Sequence, residues 1–468
     1  VANLAERVTR ALCDLRREAV NSSWLPQERD DLANRMRRDS IPGVALAVVN
    51  DAEVVWKGGF GVSGIDCPLP VTSSTLFQAG SISKPVFAIA VMCLVEAGLL
   101  DLDEDVNSYL TSWKVPANGA WQPRITLRQL LSHSAATSVK GFPGYPSAGP
   151  RPTLLEVLNG RWPANSLPIA VEGIPGLTCR YSGGGTTIAQ QVIMDVLGRP
   201  FPELMKELVL DPLGMVTSTY DQPLSADKAA SAARGHRWNA DPVSGGAYIY
   251  PEMAAAGLWT SAEELAELGA RLIRLLQGGP SRLSLKKQNL EAMLRPQLTG
   301  EEIGQSFAGI GWFCEGKGDA FSFGHNGEDN GFLSRIRLFP EVGAGAAVLV
   351  NSIQGGPLIS HIFSALAREF DWPSAHENLS AVVPLDYDNF VGNYTDRNGI
   401  SAQITGEDGT LNLEIGSQPP MSLTLVGYRL FSSRVADMQV AFEELDKSGR
   451  FSLVLIQFGV RVVLQPAL

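Results

Sequence analysis

The sequence predicts an α+β chain. An antiparallel sheet flanked by helices is split by a helical insertion at about 100–300, and a small all-β barrel follows. Three observations carry this prediction. Two adjacent strand-like runs, 44–49 and 54–61, stand near the N-terminus. A long helix-rich stretch comes next, and strands return only after residue 300, before a last helical run ending at Phe370. From Leu385 onward, short alternating segments recur, punctuated by Gly, Asp, Asn and Pro. The change of character at Trp372-Pro373 divides the chain into 1–373 and 374–468.

The elements follow in order. Residues 2–38 carry charged and apolar positions at helical spacing and predict one or two amphipathic helices, which Pro42-Gly43 ends. Residues 44–49 and 54–61 form a hairpin around Asn50-Asp51-Ala52-Glu53. Its first strand is apolar throughout, as a strand covered on both faces is. The apolar run from Pro85 to Leu100, broken by Glu96, reads as a buried helix. Residues 100–106 are acidic, but they lack the glycine and ligand spacing of a calcium loop and read as solvated. Residues 125–134 predict a short capped helix ending near His133, a histidine expected to be hydrogen-bonded within the core. Residues 137–180 are rich in Gly and Pro and read as long loops. Helices are predicted at 186–197 and 262–277, then strands at 307–313, 320–324, 334–339 and 346–350, then a helix at 358–370. In the tail, strands are predicted at 390–394, 401–405, 411–415, 422–426, 429–431, 440–444, 451–456 and 460–464. The tail holds no cluster of catalytic residue types and is expected to shape the entrance to the first domain's pocket.

Bulk composition excludes several functions. The 468 residues carry a net charge of -11, which argues against a nucleic-acid partner or an anionic membrane surface. No apolar run reaches the roughly 18 residues of a membrane span. The five cysteines show no C-x-x-C or Cys/His spacing, so neither a metal site nor a disulfide framework is indicated. Free and mostly buried thiols lean toward the cytoplasm. No leader peptide is visible from Val1, and a periplasmic or secreted location stays open if one was removed.

The chemistry centres on Ser81-Ile82-Ser83-Lys84. A helix places i and i+3 on one face, so Lys84 is predicted beside Ser81, and Ser81 sits at the positive end of the helix dipole. A serine hydroxyl becomes a good nucleophile when a neighbouring base takes its proton. Alone, S-x-x-K is a weak signal, since an N-cap serine followed by a solvated lysine has the same pattern.

Further along stand Tyr181-Ser182-Gly183 and His325-Asn326-Gly327. With Ile41-Pro42-Gly43, Leu130-Leu131-Ser132-His133-Ser134 and Ala255-Ala256-Gly257-Leu258-Trp259, the order resembles the serine β-lactamase-like superfamily over about residues 30–370. That group holds class C β-lactamases, D-Ala-D-Ala carboxypeptidases, D-aminopeptidases and family VIII esterases. The resemblance implies a β-lactamase/transpeptidase-like fold. It implies that Ser81 forms an acyl-enzyme, that Lys84 activates Ser81 and Tyr181, and that Tyr181 is the general base. His325, where many lactamases carry lysine, would hydrogen-bond the tyrosine or a substrate carboxylate. The backbone amides of Ser81 and Glu328 would form the oxyanion hole, and Gly183, Asn326 and Gly327 would bind substrate. Several members carry a lipocalin-like C-terminal domain.

Two departures shape the expected activity. The family's tyrosine motif usually has Asn where this chain has Gly183, and His325 replaces lysine. Both weaken the case for β-lactam turnover. The run Gly183-Gly184-Gly185 is expected to leave open space and bare amides beside the base. The resulting expectation is a serine hydrolase of esters or small peptide-like amides, with esters ahead. The alternatives are a D-amino-acid or D-peptide peptidase or amidase, an acyltransferase or thioesterase of the penicillin-binding type, and, in another class, a slowly acylated penicillin-binding sensor. This chemistry requires neither a metal nor an organic cofactor.

Overall fold

The computed structural model describes residues 4–15, 31–298, 306–373 and 390–467, the last stretch with short gaps. It comprises two compact units, which meet in sequence at Trp372 and Pro373.

The first unit is built on a seven-stranded sheet. Strands β1 (Gly43–Asn50) and β2 (Glu53–Gly61) form the N-terminal hairpin. Phe77–Gln78 (β3) and Trp259–Thr260 (β4) make a separate two-stranded pair. Then come β5 (Phe307–Ala308), β6 (Phe313–Glu315), β7 (Ser322–Asp329), β8 (Phe332–Phe339) and β9 (Ala344–Val350). The order across the main sheet is β2-β1-β9-β8-β7-β6-β5. Every pairing is antiparallel, and β1 joins the late strands through β9. The helical middle is therefore an insertion between two parts of one sheet. All of β1 except Asn50 is buried, as its unbroken apolar sequence requires.

Both faces are covered by helices. The short helices α1 (Leu4–Cys13) and α2 (Leu32–Arg38) open the chain. Helix α3 (Ser83–Glu96) is buried along nearly its whole length, which is why its sequence is apolar all round. Helix α4 (Gly183–Leu197) begins at the N-cap Ser182, whose Oγ accepts the Gly185 N–H (3.0 Å). It ends at Gly198 in the left-handed region. The single turn α5 (Met253–Ala256) precedes α6 (Ala262–Leu276). Helix α7 (Gly356–Phe370) closes the unit. Strand alternation separates the faces. Leu338 lies under Gly269 of α6, where a Cβ would meet it at 2.5 Å. Arg335, an odd number of positions away, points to the other side, where its guanidinium stands 5.6 Å from the Phe363 ring of α7.

One predicted strand is interrupted. Residues 307–313 do not form a single strand, because Gly309-Ile310-Gly311 turns the chain between β5 and β6. Gly309 N–H donates to Trp312 O (2.8 Å), and Gly311 takes φ +79° against α3. At the other end of the hairpin, β7 runs five residues beyond the predicted Gly324, through His325-Asn326-Gly327.

The second unit is a closed barrel of eight antiparallel strands in sequence order. The strands are β10 (Gly392–Thr395), β11 (Ser401–Glu407), β12 (Thr410–Ile415), β13 (Met421–Gly427), β14 (Leu430–Ser433), β15 (Met438–Glu444), β16 (Phe451–Gln457) and β17 (Val460–Pro466). Pairing of Tyr394 with Pro466 closes it. This is the up-and-down arrangement of lipocalin-like barrels. Its interior is packed with rings: Phe390 stacks on Phe442 at 4.2 Å, and Phe431 and Phe451 meet them edge-on.

Candidate active site

Ser81 stands in a one-turn 3-10 segment, Gly80–Ile82, that leads directly into α3. The turn lies against β7. A Cβ on Gly80 would come within 2.5 Å of Glu328 N, and Gly80 has φ +52°, so only glycine fits there. Gly327 is equally confined, with Ala79 O 1.9 Å from its absent Cβ. Ser334 Oγ donates to the same carbonyl (2.9 Å). At Gly327 and Glu328 the backbone of β7 thus runs directly against the serine turn.

Lys84 reaches back one helical turn. Its Nζ donates to Ser81 Oγ (2.9 Å) and to Ala255 O of α5 (2.8 Å). Lys84 is buried, and its amine is held by these two hydrogen bonds away from water.

Tyr181 comes from the far side of the insertion, one residue before the α4 cap. Its ring faces Lys84, with Nζ 5.0 Å from the centroid, within cation–π range. The Tyr181 hydroxyl makes no hydrogen bond with Ser81 or Lys84. Three further rings surround it: His133 at 4.4 Å, Phe313 at 6.0 Å and His325 at 6.1 Å between centroids.

Both histidines are buried and neutral. His325 Nδ1 lies 2.6 Å from Asn326 O, and a carbonyl only accepts, so Nδ1 carries the proton. Nε2 is then a buried acceptor with no partner. Burial, reinforced by the Lys84 charge, pushes the His325 pKa down to about 3. This corrects one expectation: as placed, Nε2 has no proton to offer a substrate carboxylate. His133 holds the opposite tautomer. Its Nδ1 accepts the Ser182 N–H (3.3 Å), leaving the proton on Nε2. Burial, then Lys84 and His325, hold its pKa well below the usual histidine range.

Several sequence expectations change here. His133 is buried and hydrogen-bonded as expected, and it also packs against Tyr181, ring centroids 4.4 Å apart with the planes tilted by 45°. Asn326 does not point into the site. On β7 it alternates with His325, and its Oδ1 accepts from Arg335 Nε (2.8 Å) on the α7 side of the sheet. Gly183 opens no space either. A Cβ there would stand 3.0 Å from the Phe142 ring and 3.1 Å from Lys140 O. The three glycine amides are committed: Gly183 to Lys140 O, Gly184 to Val139 O and Gly185 to Ser182 Oγ. Segment 138–142 fills the volume that an asparagine would occupy.

Phe313, absent from the sequence reading, is 40% exposed yet packs against His325 at 5.2 Å. It pairs across the sheet with Gly324. Elsewhere, Cys93 and Cys314 are buried but Cys13 and Cys179 are exposed, so the thiols are less uniformly buried than expected. Asp103 of the acidic stretch is exposed and paired with Arg128 (2.7 Å). Among the described residues, no three His, Cys, Asp or Glu side chains stand together as a metal site.

A half-buried serine beside a buried lysine at a helix start, next to a tyrosine and against β7 of an antiparallel sheet, defines a serine hydrolase of the β-lactamase type. A family model described as Beta-lactamase matches residues 29–360, and the chain belongs to that family. It is similar to Protein flp of Staphylococcus aureus strain N315, at 23% identity over 357 residues, 75% of this chain. The chain spans 66% of the length of that relative. Penicillin-binding protein 4* of Bacillus subtilis strain 168 is 23% identical over 450 residues, covering 89% of this chain and 93% of that protein. In fold, the chain is similar to the octameric penicillin-binding protein homologue from Pyrococcus abyssi, with a TM-score of 0.60 and 22% identity over 93% of this chain and 98% of that one.

Proposed function

We propose that this serine hydrolase acts through an acyl-Ser81 intermediate on an ester or a small peptide-like amide. The observation that carries the reading is the 2.9 Å contact between Lys84 Nζ and Ser81 Oγ. In the first step Ser81 Oγ attacks the carbonyl carbon. Its proton passes through Lys84 and Tyr181 to the leaving alcohol or amine as the scissile bond breaks. Water then attacks the acyl-serine with the same groups in reverse, releasing the acid and restoring the serine hydroxyl. The developing oxyanion binds the Ser81 and Glu328 amides. Tyr181 must move or be drawn in for this. Among the described residues its hydroxyl has no hydrogen-bond partner, and catalytic hydrogen bonds commonly tighten only once substrate is bound.

Esters are favoured over amides. An alcohol leaves with less help from a general acid, and the amide-binding asparagine of the lactamases is replaced by Gly183 with Phe142 packed beside it. β-Lactam turnover is expected to be weak. The names of two relatives keep a penicillin-binding variant of the same first step in view, and acyl transfer to an amine or alcohol shares that step. Rates on a p-nitrophenyl ester, a D-alanyl p-nitroanilide and a chromogenic cephalosporin test the order. Ester turnover lost in Ser81→Ala supports the reading. Faster anilide or cephalosporin turnover overturns the preference, and a stable adduct without turnover supports the sensor alternative.

A further inference from the structure

Asp329, at the end of β7, is a buried carboxyl that the proposed reaction does not use. It lies on the same face of the strand as His325 and Gly327. Its Oδ2 accepts the N–H of Gly80 (3.1 Å), the residue next to the nucleophile. Burial pushes its pKa well up, against the pull of Lys84, the Gly80 amide and the Tyr250 hydroxyl beside it. Tyr250 is itself buried, and its Oη accepts the Asn330 N–H (3.1 Å). An absent Cβ on Gly144 lets the Tyr250 ring sit where it does.

The amides around the nucleophile show what this contact does. Ala79 N–H donates to Leu258 O (2.9 Å), Gly80 N–H to Asp329, and Ile82 N–H to Ala79 O (3.2 Å). Ser83 N–H donates to Gly80 O. The Ser81 N–H is the one left uncommitted. The rest of the turn is tied down on both sides of it: by Asp329 on β7 and by the Leu258 carbonyl that follows α5. An oxyanion donor must be held before the charge develops, because reorganising it during reaction forfeits its benefit.

We propose that Asp329, steadied by Tyr250, is a positioning residue: it takes the Gly80 N–H, locks the nucleophile turn against β7, and so presents the free Ser81 N–H to the substrate oxygen. The inference rests on Ser81 being the nucleophile. A buried acid at this strand end has no packing rationale of its own. An apolar side chain there would leave the Gly80 amide buried and unpaired.

The test is steady-state turnover of p-nitrophenyl butyrate together with the affinity of phenylboronic acid, which forms a tetrahedral adduct on a serine and reads the oxyanion site without turnover. Asp329→Asn keeps an oxygen acceptor for Gly80 and is expected to stay within about threefold of wild type in both readouts, since the hydrogen bond survives. Asp329→Ala is expected to lower kcat by about 100- to 1000-fold with little change in KM, and to weaken boronate binding by a similar factor, the scale of a lost oxyanion donor. Retained kcat and boronate affinity in Asp329→Ala overturn the proposal. So does a loss confined to KM, or an Asp329→Asn protein as impaired as Asp329→Ala. Should Asp329→Ala fail to fold, Tyr250→Phe serves: lower kcat and weaker boronate binding support the clamp, and unchanged values overturn it. Boronate affinity that is the same in wild type and Ser81→Ala overturns the Ser81 reading, and this proposal with it.

Discussion

His133 and Tyr181 pack with ring centroids 4.4 Å apart and their planes tilted by 45°. His133 reaches that position through a left-handed backbone conformation, φ +58°, at the end of a short helix. Its Nδ1 accepts the Ser182 N–H, so the same ring supports Tyr181 by contact and the start of α4 by a hydrogen bond. Replacing His133 by alanine removes both supports. The expected loss is about 2–4 kcal/mol of stability, from the cavity and the unpaired amide together. Activity is expected to fall as well, because the Tyr181 ring loses its closest neighbour. Denaturant unfolding and kcat measured on one preparation check both. An unchanged midpoint contradicts the structural role given to this ring.

The neutral histidines give the protein an acid-side weakness. His325 has a folded pKa near 3 against an ordinary value of 6.5. Between those values the unfolded chain binds the proton more readily than the folded one. Stability is therefore intact above 6.5 and falls as pH drops toward 3, by on the order of 4–5 kcal/mol for this one group. His133 acts in the same direction. His325→Gln, neutral at every pH, is expected to flatten the decline between pH 6.5 and 4. Identical slopes in wild type and variant speak against a buried neutral His325.

Glu252 acts in the opposite sense. It is fully buried ahead of α5, the turn whose Ala255 carbonyl holds Lys84. Tyr145 Oη donates to its Oε1 at 3.5 Å, and Oε2 has no partner. Burial pushes its pKa up to about 8 from 4.5. The folded state keeps a proton that the unfolded state gives up, so stability is full below 4.5 and declines as pH rises through 8. Glu252→Gln is expected to be the more stable protein at pH 9 and nearly equal to wild type at pH 5. Unfolding curves at the two values test this, and a variant less stable at both values contradicts it.

Gly183→Asn is expected to destabilise the protein without giving it lactamase-like selectivity. The new side chain meets the Phe142 ring and the Lys140 carbonyl. Overpacking of this kind costs about 1–3 kcal/mol. Pairing it with Phe142→Ala should recover part of the loss. Melting temperatures of the single and double variants settle the point, and a stable single variant with altered acyl preference contradicts the packing described here.

The residues that the sequence revealed, and those it concealed, divide along physical lines. Ser81 and Lys84 were legible because i,i+3 adjacency on a helix is a local property. The two-part sheet was legible because β1 is apolar on both faces. Tyr181 was visible only through its motif, since nothing local brings it to Lys84. Asn326 was misjudged because the predicted strand stopped at Gly324, and without a strand there was no alternation to turn its side chain away. Gly183 was misjudged because the carbonyls that take the Gly183 and Gly184 amides come from a loop some forty residues earlier. His133 was legible as a hydrogen-bonded core residue but not as a neighbour of Tyr181, and Phe313 and Asp329 left no local signature. Each is defined by what the fold packs against it.

The central claim is that Ser81 carries the acyl group. The most direct measurement is intact-protein mass after a fluorophosphonate label, followed by peptide mapping, in wild type and Ser81→Ala. A single adduct on Ser81, absent from the variant while its fold is unchanged, is the predicted result. Labelling that persists in Ser81→Ala, or that maps to Ser83 or another residue, contradicts the account.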